Sequence, residues 1–207
     1  MAASAPKLNL FLRGSRDYIQ GTQIIARLAE QLPPGDWRFE QANFQAISTR
    51  ELSFAPAGGG DETGAAGRVS FSAETGEITT YVIRESGPQA PRRDAPMPIK
   101  VVPLGGEGAK ARWRYEGVAT FEDVLNVLVQ AIKAENAKRW PEGKDIWFTG
   151  ARRARLPLNG PFVSSGEFTL TLYRQIGVSG QVQTIWQTDF PGADPAGMIT
   201  FTLKLPG

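Results

Sequence analysis

The sequence predicts an α+β fold made of two tandem units, each a curved antiparallel sheet wrapped around one central helix. Three observations carry this reading. The stretch from Thr120 to Ile132 (TFEDVLNVLVQAI) is apolar at Phe121, Val124, Leu125, Val127, Leu128, Val129, Ala131 and Ile132. That exceeds the single apolar stripe of a surface helix, so the segment needs cover on most of its sides. Most other segments read as strands, and a mostly antiparallel sheet has one face that the helix alone is available to cover. Finally, the order strand, helix, long extended segment, hairpin occurs twice.

Residues correspond as well as element types. Ile24 to Leu32 (IIARLAEQL) aligns without a gap to Val124 to Ile132 (VLNVLVQAI), and Phe44 to Phe54 lies over Phe148 to Leu158. Two hairpins that each begin at a glycine, Gly67 and Gly166, form a third matching block. The organisation expected is an N-terminal unit over 1–87, a proline-rich linker over 88–98 and a C-terminal unit over 99–207.

In chain order, Lys7 to Arg13 places Leu8, Leu10 and Leu12 on one side and reads as a strand. A helix is expected from Tyr18 to Leu32, with Ile24, Ile25, Leu28 and Leu32 at helical spacing and Pro33-Pro34-Gly35 ending it. Its polar Gln23, Arg27, Glu30 and Gln31 make it the more exposed of the two helices. Trp37 to Phe54 reads as two strands or one bent strand. Ala55 to Gly67 reads as a plain loop, because neither glycine-rich phosphate motif is present. A hairpin follows around Thr75-Gly76-Glu77, then the linker, then strands at Ile99–Leu104 and Ala111–Tyr115. Thr120 with Asp123 forms a capping-box variant ahead of the second helix, which ends before Trp140-Pro141. Ile146 to Leu158 is extended, Gly166 to Gln175 pairs with Val182 to Phe190, and Met198 to Leu205 closes the chain with alternating Ile199, Phe201, Leu203 and Leu205.

Composition removes whole classes of chemistry. There is no cysteine, hence no disulfide and no thiolate. There is no histidine, which removes Ser-His-Asp and Cys-His systems, histidine metal sites and the commonest general base. Acid–base chemistry would rest on carboxylates, Lys or Tyr. No cofactor and no metal site is expected. A net charge of +2, with acids and bases mixed, gives no reason to expect nucleic-acid binding. Trp113, Trp147 and Trp186 sit among apolar neighbours, as core residues do. No stretch approaches the ~20 apolar residues of a membrane span, and the short apolar run near the N-terminus is broken by Asn9. The expectation is a cytoplasmic protein with no membrane partner.

Three segments carry a family resemblance: Tyr18 to Ile25 (YIQGTQII) leading into the first helix, Ile146 to Leu158 (IWFTGARRARLPL) after the second, and Gly166 to Leu172 (GEFTLTL) beyond it. Together they resemble the hotdog superfamily of β-hydroxyacyl-carrier-protein dehydratases and thioesterases. The resemblance covers nearly the whole chain as two tandem hotdog-like units, more closely in the second. It implies an acyl thioester as ligand class, acyl-CoA or acyl-carrier protein as partner, and either a monomer with an internal pseudo-dimer or a homodimer.

The departures from the family are informative. Its dehydratases use a histidine before the central helix and a carboxylate within it; here no histidine exists, and the carboxylate position falls at Ala26 and Asn126. Thioesterase relatives without histidine place an Asp or Glu near the helix start, where this chain has Glu122 and Asp123. Asp123 is accounted for by capping. Glu122 reads either as a solvated first-turn acid favoured by the helix dipole or as a site residue. With Asn126 and Gln130 it forms a polar stripe spaced every four residues.

Two functions follow. The first is a protein that binds an acyl chain or acyl thioester, or serves as a structural subunit, with standard dehydratase chemistry lost. The alternative is an acyl-thioester enzyme in which Asn126 polarises the carbonyl and Glu122 positions water, with Gln130 as a ligand contact. On the strand after the helix, Arg153 and Arg155 share a face and Arg152 points away. The resemblance places that strand near a pantetheine channel, where arginine suits phosphate; strand-edge arginines that discourage aggregation are the structural reading.

Overall fold

The computed structural model describes residues 6–13, 18–46, 48–58, 63–94, 98–194 and 197–206. Among them are two helices, α1 (Gly21–Ala29) and α2 (Phe121–Arg139). The N-terminal strands are β1 (Leu12–Arg13), β2 (Trp37–Phe44), β3 (Arg50–Pro56), β4 (Gly67–Ala73), β5 (Ile78–Gln89) and β6 (Arg92–Arg93). The C-terminal strands are β7 (Lys100–Glu107), β8 (Lys110–Glu116), β9 (Lys144–Arg152), β10 (Leu156–Pro157), β11 (Ser165–Val178), β12 (Gln181–Thr188) and β13 (Met198–Lys204). Eleven of these strands form one large sheet, in the order β3-β5-β4-β2-β9-β13-β12-β11-β8-β7 with β10 attached to β2. Every pairing in that sheet is antiparallel. Strands β2 to β5 thus lie on one side of the β2–β9 junction and the C-terminal strands on the other.

The long second helix is wrapped, as its composition requires. Phe121, Val124, Leu125, Val127, Leu128, Ala131 and Ile132 are all buried. The Thr120 hydroxyl accepts from the Asp123 amide (3.2 Å) while the Asp123 carboxylate accepts from the Thr120 amide (2.9 Å). This reciprocal cap satisfies two helix-start N–H groups. Lys138 and Arg139 in the last turn complement the dipole at the other end. The sheet supplies the cover through its inward positions: Ala111, Trp113 and Tyr115 on β8, Thr184 and Trp186 on β12, and Ile199, Phe201 and Leu203 on β13 are buried, while the residues between them are less so. Phe39 on β2 meets Phe121 edge-on, at 6.0 Å between ring centres.

Several sequence expectations are corrected. The first helix starts later than Tyr18 because the Ile19 amide donates to the Ser48 carbonyl (2.8 Å), holding the approach extended. Its end tightens through Gln31 N–H to Leu28 O (3.0 Å). Nor is it exposed: Thr22, Gln23, Ile24, Ile25, Ala26 and Leu28 are buried, and the Gln23 Oε1 accepts from the Phe11 amide (3.1 Å). Lys7 to Arg13 buries Leu8, Leu10 and Leu12 as its alternation suggests. Only Leu12 and Arg13 join a ladder, because the amides of the segment go to different partners: Leu8 to Leu52, Phe11 to Gln23, and Leu12 to Pro91. The proline-rich stretch is not free of the sheet, since Gln89 pairs with Arg50, and Arg92 and Arg93 pair in parallel with Leu12 and Arg13. Residues 95–97 of that stretch and residues 59–62 of the glycine-rich loop lie outside the described residues.

The internal correspondence is met only in part: β3 lies at the sheet edge against β5, whereas Leu156–Pro157, its counterpart by sequence, pairs with β2, and the third block does not match. Phe44 and Phe148, aligned by sequence, meet edge-to-face at 5.7 Å beside the junction where Ala42 pairs with Ala151 and Asn43 with Gly150. The two hairpins do not occupy matching places. β4 lies next to β2, whereas β13 and β12 stand between β9 and β11. Alternating hairpins of similar composition align readily in sequence whatever their position in a sheet.

Candidate functional site

A cleft of about 60 Å³ opens where the start of α1 meets the middle of α2, against β2, β3, β5 and β9. That volume holds roughly four water-sized positions. Ile19, Ile24, Leu52, Ile83, Val129 and Phe148 supply much of its apolar wall. The start of α1 packs closely against the sheet because it begins at a glycine. A methyl group at Gly21 would lie 2.7 Å from Phe148 Cδ1 and 2.8 Å from Phe44 Cε2, so the helix start settles directly on the two junction rings.

One edge of the cleft is polar, and its centre is Asn126. This residue is 4% exposed, and its Oδ1 accepts from the hydroxyl of Thr22, 2% exposed, at 2.9 Å. The bond ties the two helices together across 104 positions of sequence. Gln130 and Lys133 continue the same face of α2 along the cleft. The Lys133 ammonium donates to the Tyr18 phenol oxygen at 2.9 Å and stands 5.6 Å above the Tyr18 ring. Among the described residues that line the cleft, Lys133 is the one charged side chain and none is a carboxylate.

The proposed stripe is therefore divided. Asn126 and Gln130 line the cleft, while Glu122 lies outside it. Glu122 instead holds Arg13 in an ion pair of 3.1 Å, with the two side chains 19% and 14% exposed. It is neither the solvated first-turn acid nor a carboxylate free to orient water in this cleft. Asp123 is occupied by the Thr120 hydroxyl and by the amides of Ala119 and Thr120.

The arginine reading also changes. β9 ends at Arg152, and Arg153 and Arg155 lie between β9 and β10 with φ of +50° and +43°. The Ala154 amide donates to Glu40 O, which turns this segment across β2 (3.0 Å). Strand alternation thus stops before Arg153. Arg155 faces Glu40 at 3.7 Å and Asp194 at 3.8 Å, and neither Arg153 nor Arg155 lines the cleft. Trp113 and Trp186 are core residues as expected, but Trp147 is only half-buried and borders a broad groove on the outer sheet face with Thr149, Thr200, Thr202 and Gln183.

Tyr18, Thr22 and Lys133 escaped the sequence reading. Lys133 had a usable signal: it follows Gln130 by three residues and extends the stripe of α2 by one more turn. Thr22 and Tyr18 had none, since each acquires its role from a residue more than a hundred positions away. A second buried polar pair was equally invisible: the Trp186 indole donates to Asn136 Oδ1 at 3.2 Å near the end of α2.

No family model matches the sequence. No curated protein matches it either. Solved structures do resemble the fold. The tesB protein of Mycobacterium avium subspecies paratuberculosis superposes with a TM-score of 0.52 at 11% identity, over 96% of this chain and 91% of that one. The dehydratase domain of RzxB from Pseudomonas fluorescens gives 0.44 at 10% identity, over 96% and 88%. The acyl-CoA thioesterase II TesB2 from Mycobacterium marinum gives 0.45 at 9% identity, over 90% and 88%. With its two helices laid against one large antiparallel sheet, and its likeness to the first of these structures over nearly its full length, the chain shares a hotdog-like fold with that tesB protein.

Proposed function

We propose that this protein is a tandem double hotdog whose cleft binds an acyl chain or acyl thioester, without histidine-dependent dehydratase chemistry. The observation that carries the reading is the apolar cleft beside Asn126, the position where the resembled dehydratases keep a carboxylate. A buried amide there can hold a carbonyl but cannot shuttle a proton as a carboxylate does. The division of the sheet at the β2–β9 junction, with one helix contributed from each half, supports the tandem arrangement. It also makes an internal pseudo-dimer the natural assembly. Acyl-CoA or an acyl-carrier protein is the partner class that this reading suggests.

The enzymatic alternative relied on Glu122 to position water. The ion pair with Arg13 and the place of Glu122 outside the cleft speak against that role, so binding is the reading put forward. The test is calorimetric titration with non-hydrolysable acyl-thioester analogues of graded chain length, alongside an acyl-CoA hydrolysis assay. Binding with a preference for short chains and no turnover is expected, and Val129→Phe, which fills the cleft, abolishes that binding while the fold persists. Failure of every chain length to bind would leave a structural role alone and sink the proposal.

A further inference from the structure

Lys133 is a cation set into a cleft whose described lining residues include no acid. Among the described residues no carboxylate lies within ion-pair distance of its ammonium, which meets only the phenol oxygen and ring face of Tyr18. Salt bridges form freely elsewhere: Lys7, Arg13, Lys100, Arg112, Arg114 and Arg155 each have an acidic partner. The Tyr18 oxygen accepts from Lys133, which leaves the phenol's own hydrogen to be donated to something else. Gln130, one turn before Lys133 on the same helix face, brings an amide to the same edge. Beyond this polar corner the wall is Ile19, Leu52, Ile83, Val129 and Phe148.

We infer that Lys133 and Tyr18 form a carboxylate-binding corner, so that the ligand of this cleft is an amphiphile with a short apolar chain and a carboxylate end. The inference rests on the acyl-binding reading and narrows it to acyl chains that end in a free carboxylate. A partly buried cation without a counter-ion gains a charge-assisted hydrogen bond when such a ligand enters, and the Tyr18 hydroxyl supplies a second donor to the other carboxylate oxygen. A neutral thioester or alcohol of equal chain length fills the same apolar volume and gains neither.

The experiment is calorimetric titration of the full chain with three probes of matched length, butanoate, 1-butanol and S-butyryl-N-acetylcysteamine, together with unacylated phosphopantetheine. Butanoate is expected to bind about tenfold more tightly than the alcohol, as a bond to a charged group predicts. Lys133→Met erases that preference and leaves the alcohol's affinity unchanged, and Tyr18→Phe reduces it about threefold. Equal binding of butanoate and butanol by the unmodified protein overturns the inference with no variant needed. So does a preference that survives in Lys133→Met, or a Lys133-dependent affinity for phosphopantetheine exceeding that for butanoate, which would make a phosphate the anion. Thioester binding without carboxylate binding removes this inference and leaves the acyl-binding reading standing; binding of no probe removes both.

Discussion

The bond between Thr22 and Asn126 is the contact on which the two-helix cleft turns, and Thr22→Val isolates it. Valine keeps the shape of threonine and replaces the donating hydroxyl with a methyl group, leaving Asn126 Oδ1 without the donor that stands 2.9 Å away. Both residues are nearly sealed from solvent, at 2% and 4% exposure, so the orphaned acceptor is not simply rehydrated. An unsatisfied buried polar group costs about 1–3 kcal/mol. In a chain of 207 residues each kcal/mol corresponds to a Tm shift of about 2–4 °C. Asn126→Leu removes the acceptor instead, and in the double variant neither polar group remains to be left unpaired. The two single losses therefore should not add, and the cycle should show a coupling of about 1–2 kcal/mol. Urea unfolding followed by tryptophan fluorescence measures all four proteins. If Thr22→Val changes stability by less than about 0.3 kcal/mol and the cycle is additive, water from the cleft reaches Asn126, and the sealed contact described above is wrong.

Other residues yield sharp expectations of their own. Glu122→Gln strips the charge partner from Arg13, whose Nε already lacks a hydrogen-bond partner; denaturant melts should register a loss of about 1–2 kcal/mol, between the exposed and buried extremes for ion pairs. If the cleft binds acyl ligands as proposed, calorimetric titration should find that affinity unchanged in this variant, because Glu122 does not line the cleft. Gly150→Ala would set a methyl group 2.7 Å from the Ala42 backbone oxygen at the junction of the sheet halves. A thermal melt should show a loss of about 1–3 kcal/mol, while Gly177→Ala, which meets nothing within 4 Å, serves as the neutral control. On the outer face, the hydrogen bond from Arg114 at 2.7 Å holds the Glu167 carboxyl below its ordinary range, with the charges of Arg114 and Arg112 adding to the effect. A lowered carboxyl favours the folded state at pH above its ordinary value, and the benefit is lost as pH falls through the folded-state value. Carbon-13 NMR titration should therefore find Glu167 below the usual glutamate range, and Arg114→Gln should move it back up.

Much of this molecule was written into local pattern. The overloaded apolar content of Phe121 to Ile132 demanded a wrapped helix, because a segment with so few polar residues cannot rest at a surface. Thr120 and Asp123 fixed the start of that helix, since both halves of the cap lie within four residues. The alternation of β8 and β13 named their buried faces, a direct consequence of strand geometry. The absence of histidine excludes histidine-dependent acid–base chemistry. What the tertiary structure alone decided were the pairings across distance. Thr22 reaches Asn126, Tyr18 reaches Lys133, and Arg13 pairs with Glu122. The hairpin at Gly67 takes a place in the sheet that its likeness to the hairpin at Gly166 would not have assigned. Periodicity reports which face of an element is buried. It holds no record of which distant element arrives to cover that face, and at this cleft the arriving residues form its polar edge.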